Sequence, residues 1–254
     1  MAKKYLLFTI LFIFLIFKTF AWGYKGHQLV AEIAKSCLKK KIIDSVQFYL
    51  GEISFEKAAV WMDEIKSDSK YDYLKPMHYI NVEKDKTYVK VNDANIINEL
   101  DLVISELRNK KLKSKEEIKN NLLILFHLVG DLHQPLHVGY GEDKGGNTIL
   151  FTYKNNKTNL HRIWDTNIID ESKLCYADCK RLKKRVYRKE KKVGEINTSL
   201  VWMNESRLLL NTVYDYPQAG IDSVYIKKNT ALVKTQIIRA GVRLAIILQS
   251  TFNK

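Results

Sequence analysis

Apolar residues recur every three or four positions along most of the chain, which is the spacing of one face of an α-helix. The segments with this pattern are GHQLVAEIAKSCL, EKAAVWMDEIKS, DANIINELDLVISELRN, KEEIKNNLLILFHLVGDLHQPL, NTSLVWMNESRLLLNTVY and TALVKTQIIRAGVRLAIILQSTF. The fourth segment is the most apolar, as expected of a central buried helix. The sequence therefore predicts a mainly α protein.

Residues 139–160 depart from the helical pattern. This segment, GYGEDKGGNTILFTYKNNKTNL, combines glycines with a short alternation of apolar and polar residues, which predicts a loop and a small β-hairpin. No interior shift in composition marks a linker, and the chain is long enough to bury a large core. We therefore expect one domain over residues 22–254.

The first 21 residues have a pattern of their own. Lys3 and Lys4 precede the apolar run LLFTILFIFLIF, and Thr-Phe-Ala ends the segment at 19–21. A charged start, an apolar middle and a small final residue are typical of a secretory signal peptide. We predict that cleavage after residue 21 leaves Trp22 at the start of a secreted or periplasmic protein. The alternative is a membrane anchor, but the apolar run is short for a span of about 20 residues.

The chain is strongly basic. Its formal net charge is +14, and removal of residues 1–21, which contain three lysines and no acidic residue, leaves +11. Such a charge on an exported protein indicates an anionic partner, either nucleic acid or a membrane surface. Nine basic residues and one acidic residue lie in KRLKKRVYRKEKK at 180–192. This run predicts either a track for a nucleic-acid backbone, reinforced by Tyr187, or an ordinary solvated helix or loop.

The cysteines are too few for a disulfide scaffold. They are Cys37, Cys175 and Cys179. In an oxidising compartment, the spacing of Cys175 and Cys179 allows a local disulfide that leaves Cys37 unpaired. The alternative is three free thiols, because spacing alone does not show whether the geometry suits a disulfide.

Histidines and aspartates are concentrated in two segments. Half of the six histidines lie within residues 126–139. His127 and Asp131 are four residues apart and so point to one face of a helix, and His161 and Asp165 repeat this spacing. Imidazole nitrogen and carboxylate oxygen together are the donors of a borderline metal such as zinc. Any one of these histidines or aspartates could be an ordinary core or surface residue, but such roles do not explain why four of them recur at matching intervals.

Further donors of the same type lie elsewhere. Pro135 ends the first helix before His137, so His137 points in another direction and the segment can serve two neighbouring ions. The remaining donors are His27 in WGYKGHQ, Asp63 in WMDEIKSD and His78 in PMHYIN. His133 is left without a comparable partner, and we expect it to support a ligand from outside the coordination shell.

These motifs resemble the class I zinc-dependent nucleases, a family of single-strand-specific nucleases and 3'-nucleotidases that shares its fold with zinc-dependent phospholipase C. The resemblance covers nearly all of the chain after residue 21. It rests on WGxxGH at 22–27, WxDxIK at 61–66, HYIN at 78–81, HxxGDxHQPLHxG at 127–139, DKGGN at 143–147 and HxxWD at 161–165, with weaker support from WMNES at 202–206 and AGVRLA at 240–245. It implies a helical phospholipase C/nuclease-like fold.

The resemblance also implies a cluster of three zinc ions. One ion would be bound by Asp63, His78, His127 and Asp131, a second by His137, His161 and Asp165, and a third by His27, a bridging oxygen of Asp131, and the α-amine and carbonyl of Trp22. An amine acylated by Ala21 has no lone pair available for a metal. The uncleaved precursor would therefore lack a complete site.

The implied reaction is hydrolysis of single-stranded DNA, RNA and 3'-nucleotides by a metal-activated hydroxide, with 5'-phosphate products from the nucleic acids. Asp63, Lys66 and Asn147 would be the catalytic residues, and the last two would hold the phosphate oxygens. Tyr79 lies where family members place an aromatic ring that stacks on a base, although simple core packing would also explain it. Asn81 replaces the aspartate of fungal members. Because an amide both donates and accepts hydrogen bonds, base preference stays open.

Two other functions remain as alternatives at this point. One is a zinc-dependent phospholipase C, which uses a similar cluster on a choline phospholipid. The other is a zinc- or nucleic-acid-binding protein without turnover. The basic charge, Tyr79 and the DKGGN loop favour nucleotide substrates. We expect no obligate protein partner and no stable membrane insertion after removal of the signal peptide.

Overall fold

The structure, a computed structural model, describes residues 22–193 and 198–253, so the predicted signal peptide lies outside the described residues. The α-helices within these ranges are α1 (Tyr24–Cys37), α2 (Lys40–Leu50), α3 (Phe55–Glu64), α4 (Ile96–Arg108), α5 (Lys115–Leu132), α6 (Leu160–Arg162), α7 (Ile168–Glu171), α8 (Tyr176–Val193), α9 (Ser199–Arg207), α10 (Leu210–Val213) and α11 (Ser223–Phe252). The prediction of a mainly α protein is confirmed.

Shorter helical turns connect these elements. They are four 3₁₀-helices among the described residues (Ile65–Ser67, Ser69–His78, Lys110–Leu112 and Pro135–Val138) and one π-helix (Ile163–Asn167). Each of the six predicted helical segments contains an observed helix. Helix α2 was not among the predicted segments; its buried face consists of Ile42, Val46 and Leu50 at intervals of four residues. Its start, rich in lysines, obscures this short apolar stripe.

Helix α5 is the central buried helix that its composition predicts. At its start, the hydroxyl of Ser114 accepts from the Glu117 N–H, while the Glu117 carboxylate accepts from the Ser114 N–H. This reciprocal capping satisfies two backbone donors that lack helical partners. The helix ends at Leu132, before Pro135, since the residue preceding a proline disfavours helical geometry. Its C-terminal half is buried, and the helix as a whole packs against α1, α2, α3, α4 and α11.

Helix α11 supports several of the others. It has 30 residues and is capped at its start by Asp222, whose carboxylate accepts from the Tyr225 N–H over 2.8 Å. Its apolar face packs against α1, α2, α5, α7 and α8. Burial of this face holds α1 and α5 side by side, which brings their polar residues into contact. Within the described ranges, no helix is sufficiently long and apolar to span a membrane.

The predicted hairpin is confirmed. Strand β1 (Leu150–Tyr153) pairs antiparallel with β2 (Asn156–Asn159), with Leu150 opposite Asn159. Lys154 and Asn155 form the two-residue connection, and both have positive φ angles, 47° and 64°. A turn of this kind matches the right-handed twist of the strands it joins. The hairpin thereby returns the chain to α6, which carries His161.

Cys37, Cys175 and Cys179 are free thiols, so Cys175 and Cys179 do not form the local disulfide that their spacing allows. Cys179 is buried in the first turns of α8, whereas Cys175 precedes the helix and is exposed. Burial raises the pKa of the Cys179 thiol to about 11. This thiol is therefore protonated at neutral pH and acts as a small apolar side chain.

Candidate metal centre

The centre begins at the contact between α1 and α5. His27 on α1 and His127 on α5 are fully buried, and their rings stack with centroids 4.0 Å apart. Asp131 lies one turn after His127, as the spacing of four predicts. Its Oδ1 is 3.2 Å from His27 Nε2, and its Oδ2 is 3.2 Å from His127 Nε2. One buried carboxylate therefore connects the two helices.

Gly130 permits this close packing. A Cβ at position 130 would lie 2.6 Å from His27 Nδ1 and 2.8 Å from its Cε1. A methyl group does not fit at such separations, so any side chain here would push the imidazole of His27 away from Asp131. Glycine is required here by the close approach of the two helices.

His78 and Asp63 join this side of the centre from another part of the chain. His78 ends the second 3₁₀-helix, and its Nδ1 is 2.9 Å from Asp131 Oδ2. Asp63 is buried near the end of α3. Donor atoms of His27, Asp63 and His127 lie within 4.8 Å of one another, and so do donor atoms of His78, His127 and Asp131. These two sets of potential ligands share His127.

His137, His161 and Asp165 form a third set. His161 Nε2 is 3.2 Å from His137 Nε2 and 3.3 Å from Asp165 Oδ2. The predicted pairing of His161 with Asp165 is therefore observed, although the residues between them pass from α6 into the π-helix. His137 Nδ1 is 3.9 Å from Asp131 Oδ2, so the third set lies beside the first two. All the side chains predicted to bind metal converge on one buried region.

Backbone carbonyls orient three of the imidazoles. The Nδ1 atoms of His127, His137 and His161 lie 2.7, 2.7 and 2.6 Å from the carbonyl oxygens of Ala59, His78 and Gly145, respectively. Because a carbonyl only accepts, Nδ1 carries the proton in each of these bonds. Nε2 then keeps its lone pair and points into the centre, as expected of a ligand held by an outer partner.

Several buried polar atoms of the centre lack a hydrogen-bond partner within the described part of the chain: His27 Nδ1 and Nε2, Asp63 Oδ1 and Oδ2, Asp131 Oδ1, and Asp165 Oδ2. The close approach of His27 Nε2 to Asp131 Oδ1 lacks hydrogen-bond geometry. An unpaired buried group costs about 1–3 kcal/mol, and more when it is charged. Divalent cations would compensate the carboxylates and accept the nitrogen lone pairs. The side chains present therefore fit bound divalent metal ions.

Trp22, the first described residue, is fully buried and lies two residues before the start of α1. The N–H of the next residue, Gly23, donates to the carbonyl of Asp165 over 2.8 Å. This bond joins the start of α1 to the π-helix that carries part of the third donor set. The backbone around Trp22 is thus anchored beside the centre, where its α-amine is expected to act as a ligand.

A cavity of about 650 Å³ opens beside the donor sets. Its lining residues are Lys66, Lys75, His78, Tyr79, Asn81, Leu136, His137, Lys144, Asn147 and His161. The four residues predicted to contact substrate are among them. Tyr79 is 45% exposed, which argues against core packing as its role. The walls combine an accessible aromatic ring with three lysines.

Two of the predicted catalytic residues, Lys66 and Asn147, line the cavity beside the metal donors. Lys66 Nζ is 3.6 Å from Asp63 Oδ1, consistent with their spacing of three residues. Asn147 Nδ2 donates to the carbonyl of Lys144 over 2.8 Å. Asn147 Oδ1 is buried without a hydrogen-bond partner in the described ranges. Both side chains thus present polar atoms at the boundary between the metal donors and the cavity.

Gln134 and two cavity lysines, Lys75 and Lys144, also belong to the site but were not predicted from the sequence. Gln134 is fully buried, and its Nε2 donates to Asp165 Oδ1 over 2.6 Å, which fixes that carboxylate. A glutamine between a histidine and a proline in HQPLH is a local signal for such a role. Lys75 and Lys144 had no comparable signal, because each lies among other surface-type residues. Their place in the cavity wall follows only from the three-dimensional structure.

His133 does not contact the centre, which corrects the expectation that it supports a ligand. Its Nδ1 donates to the carbonyl of Val129 over 2.7 Å, and its Nε2 accepts from Arg243 Nη1 over 2.8 Å. Six residues separate it from His127, and this spacing turns it toward a different side of α5. His133 therefore belongs to a separate buried network with α11.

Burial and neighbouring charges set the protonation of the donors. Burial lowers the pKa of His137 to about 3 and that of His161 to about 4. Burial also raises the pKa of Asp165 well above its usual value. Burial also raises the pKa of Asp131, but the adjacent His127 and His137 lower it by more, so the pKa of this carboxyl lies well below its usual value. The two low-pKa imidazoles are thus neutral near pH 7, which is the form that binds a cation.

The metal-free protein is expected to lose stability as the pH falls from about 6.5 to 4. Five of the six histidines have lowered pKa values in the folded state, chiefly through burial. The unfolded chain therefore gains protons in this range that the folded chain does not bind. The raised pKa values of His127 and Asp165 act in the opposite direction, but they are fewer. Each lowered histidine contributes up to about 1.4 kcal/mol per pH unit.

Urea unfolding of chelated protein at about pH 7, 5.5 and 4 measures this change. We expect the transition midpoint to decrease at each step. A midpoint that stays constant or increases toward pH 4 would contradict the buried, neutral state of these imidazoles.

Comparison with known proteins identifies the family. The family model of the S1/P1 nucleases matches residues 22–253. Nuclease S1 of Aspergillus oryzae is 30% identical over 260 residues, which cover 89% of this chain and 90% of that protein. Endonuclease 2 of Arabidopsis thaliana is 33% identical over 165 residues, 59% of this chain and 56% of the relative. Nuclease P1 of Penicillium citrinum is 30% identical over 155 residues, 57% of each chain.

The chain thus spans little more than half of two of these relatives and most of the third. The family match extends over all the described residues and includes every segment that contributes to the centre. Both the resemblance of the motifs and the expected phospholipase C/nuclease-like fold are confirmed. The chain belongs to the S1/P1 nuclease family.

Proposed function

We propose that residues 22–254 form an exported, zinc-dependent nuclease and 3'-nucleotidase. It would hydrolyse phosphodiester bonds of single-stranded DNA and RNA to 5'-phosphate products. The main support is the convergence of buried imidazoles and carboxylates, several with unpaired atoms, beside a cavity with lysines in its walls. Imidazole and carboxylate donors without thiolates are typical of catalytic zinc sites.

Three ions would divide the donors among them. The first would be held by Asp63, His78, His127 and Asp131, the second by His137, His161 and Asp165, and the third by His27, Asp131 and the backbone amine and carbonyl of Trp22. The shared donors support such a cluster, because Asp131 approaches both His27 and His127 at 3.2 Å. When bound, zinc supplies Lewis acidity and a nucleophile at neutral pH.

The side chains around the cavity would position the substrate. Lys66 carries a positive charge at the edge of the donor sets, where it would hold a phosphate oxygen as negative charge develops. Asn147 would contribute its amide to the same group, after exchanging its bond with the Lys144 carbonyl for one with the phosphate. The exposed ring of Tyr79 would stack on a base without selecting it. Asn81 would contact the base edge as donor or acceptor.

The positive cavity walls support an anionic substrate over a choline phospholipid. Lys66, Lys75 and Lys144 line the cavity together, while Leu136 is the only aliphatic side chain among the described residues of its lining. A diacyl lipid would require a larger apolar surface near the reacting phosphate. Nucleotides instead offer a phosphate for the lysines and a flat base for Tyr79.

The test combines metal analysis with substrate comparison. Protein beginning at Trp22 is analysed for bound zinc and then assayed on single-stranded DNA, RNA, a 3'-nucleotide and phosphatidylcholine, with and without chelator. We expect about three zinc ions per chain and chelator-sensitive release of 5'-phosphates. Release of phosphocholine without nuclease activity would assign the chain to the phospholipases. Bound zinc without hydrolysis of any substrate would indicate a binding protein.

A free amine at Trp22 leads to a separate prediction. One alanine added before Trp22 converts this amine to an amide, which has no basic lone pair for a metal. We expect zinc content to fall by about one ion per chain and activity to fall roughly tenfold to a hundredfold. The control carries the same alanine after Lys254. Equal zinc content in the two extended proteins would show that the amine is not a ligand.

A further inference from the structure

Helix α8 has an uncommon distribution of charge. Residues 180–192 include nine lysines and arginines and one acidic residue. The exposed cations in this range are Lys180, Arg181, Lys184, Arg185, Arg188, Lys189, Lys191 and Lys192. The run is therefore a helix, and most of its positive charges face solvent.

The acidic residue of this run does not offset the exposed charges. Glu190 is 4% exposed, and its carboxylate accepts from Arg243 Nε over 2.9 Å. Arg243 is itself buried, and it also donates to Glu205 and His133. The carboxylate of Glu190 is thus buried and paired with Arg243 inside the protein. The exposed charged residues of α8 from residue 180 onward are therefore all cations.

Four of these cations form a continuous stripe. Arg181, Arg185, Arg188 and Lys192 follow one another at intervals of four, three and four residues, which places them along one face over about 16 Å. They border a hollow of about 1320 Å³ whose other charged lining residues are Lys189, Lys191, Lys234 and one carboxylate, Asp178. Among the described residues, no carboxylate forms an ion pair with the four stripe cations.

A stripe of this length fits a polymer better than a single anion. Closely spaced like charges repel one another, and this cost is relieved when several phosphates bind along the row. Arginine supplies three of the four stripe residues, and its planar guanidinium can donate two parallel hydrogen bonds to a phosphate. The hollow is therefore suited to a chain of phosphates.

The stripe is separate from the metal centre. None of the residues that border the hollow lines the cavity beside the donor sets. Lys183, on the same helix, donates to Ser36 Oγ over 2.7 Å. Ser36 lies nine residues after His27, or about 13 Å along α1. A polymer bound here would contact the protein at a second place, away from the reacting phosphate.

We propose that the α8 stripe is an accessory site for the sugar-phosphate backbone of single-stranded nucleic acid. This proposal depends on the proposed function, because the stripe would bind a longer part of the substrate that the same centre hydrolyses. Binding would be independent of sequence. Tyr187, the aromatic residue of the run, is half-buried, and its hydroxyl donates to Gln249 over 3.1 Å, so its ring is held against α11.

The composition of the stripe favours nucleic acid over a membrane surface. Helices that bind membranes combine a basic face with apolar side chains that enter the lipid. On α8, Leu182 and Val186 pack partly against the core, and Val193 is only 37% exposed. Among the described residues of α8, Val193 is the one large apolar side chain that is exposed, and it lies beyond the last stripe residue, Lys192. Leu182 borders the hollow but is partly buried against the core.

The test compares two triple variants with equal loss of charge. The first is Arg185→Gln/Arg188→Gln/Lys192→Gln on the stripe. The control is Lys39→Gln/Lys41→Gln/Lys111→Gln, at exposed positions outside the hollow. Zinc-loaded proteins are titrated against a labelled phosphorothioate oligonucleotide of about 30 nucleotides, which resists cleavage, at about 50 and 200 mM salt. Hydrolysis is measured in parallel on a dinucleotide and on the corresponding normal oligonucleotide.

We expect the stripe variant to bind the oligonucleotide about tenfold more weakly at low salt. Its slope of log K against log salt should decrease by about 2, since each contact with a single-strand phosphate contributes about 0.7. KM for the long substrate should increase, whereas hydrolysis of the dinucleotide should be unchanged. The control variant should match the unmodified protein in all these measurements.

Equal losses in both variants would overturn the proposal, because total charge would then explain the binding. Unchanged oligonucleotide binding by the stripe variant would also overturn it. Binding of the same proteins to phosphatidylserine vesicles is measured alongside, and weaker vesicle binding by that variant would then assign the surface to anionic lipid. Thermal unfolding of each variant identifies any change caused by misfolding. Oligonucleotide binding requires no turnover, so failure of the proposed nuclease function would appear separately, as absent hydrolysis of the dinucleotide.

Discussion

Replacement of Asp131 by asparagine is expected to remove most bound metal and to reduce activity by roughly 10⁴-fold, or about 5.4 kcal/mol of activation free energy. Asp131 is fully buried, and its two oxygens lie near three imidazoles of the centre. Asparagine keeps the shape but offers one neutral oxygen. It therefore cannot compensate the charge of two ions. Metal analysis and nuclease assays of the purified variant measure both effects.

Two further variants separate this effect from others. Lys66→Ala should lose roughly a hundredfold in activity, the usual cost of removing one group that stabilises developing charge, while keeping its metal. Asp101→Asn is the control for the amide substitution, since Asp101 accepts from Ser199 on α9 and lies outside the donor sets. It should keep both metal and activity. Full zinc content in the Asp131 variant would disprove the bridging role.

Removal of the metal is expected to abolish activity and to lower the thermal stability of the folded protein. A ligand that binds only the native state stabilises it by about 4 kcal/mol per site when present at 1,000 times its Kd. For a domain of this size, 1 kcal/mol corresponds to about 2–4 °C, so loss of even one such ion lowers Tm by roughly 8–16 °C. Calorimetry before and after chelation measures this change.

The Asp131→Asn variant is also the control for chelation. With little metal to lose, its Tm should change by less than about 3 °C on addition of chelator. Zinc added to the chelated unmodified protein should restore both activity and Tm. If chelation abolished activity but left Tm unchanged, the ions would be bound at the surface and not by the buried donors.

Local spacing predicted the parts of the centre that lie within single elements. His127 with Asp131, and His161 with Asp165, converge as the four-residue interval requires. His161 and Asp165 converge although the residues between them pass from an α-helix into a π-helix, so the change in helix type does not separate the two side chains. Resemblance to a family supplied the contributions of Asp63 and His78, because spacing alone does not show which distant segments meet.

Other features depended on packing that no local pattern encodes. His133 has the same residue type and neighbourhood as the predicted ligands, yet its side chain binds Arg243, 110 positions away. Gln134 adjoins Asp165 only because the turn after α5 meets the π-helix. Glu190 could be counted among the solvated charges of its run until its partner on α11 was known. In each case, the deciding contact joins residues far apart in sequence.

The order in which these elements are synthesised matters for assembly. All the proposed side-chain ligands precede residue 166, while the helix against which α1 packs extensively, α11, begins only at Ser223. A nascent chain ending before α11 would contain every proposed donor but would lack the helix that packs most extensively against α1, which carries His27. We therefore expect metal uptake to be a late event in biogenesis, because a ribosome-bound fragment with all its proposed ligands translated would still lack this support for His27.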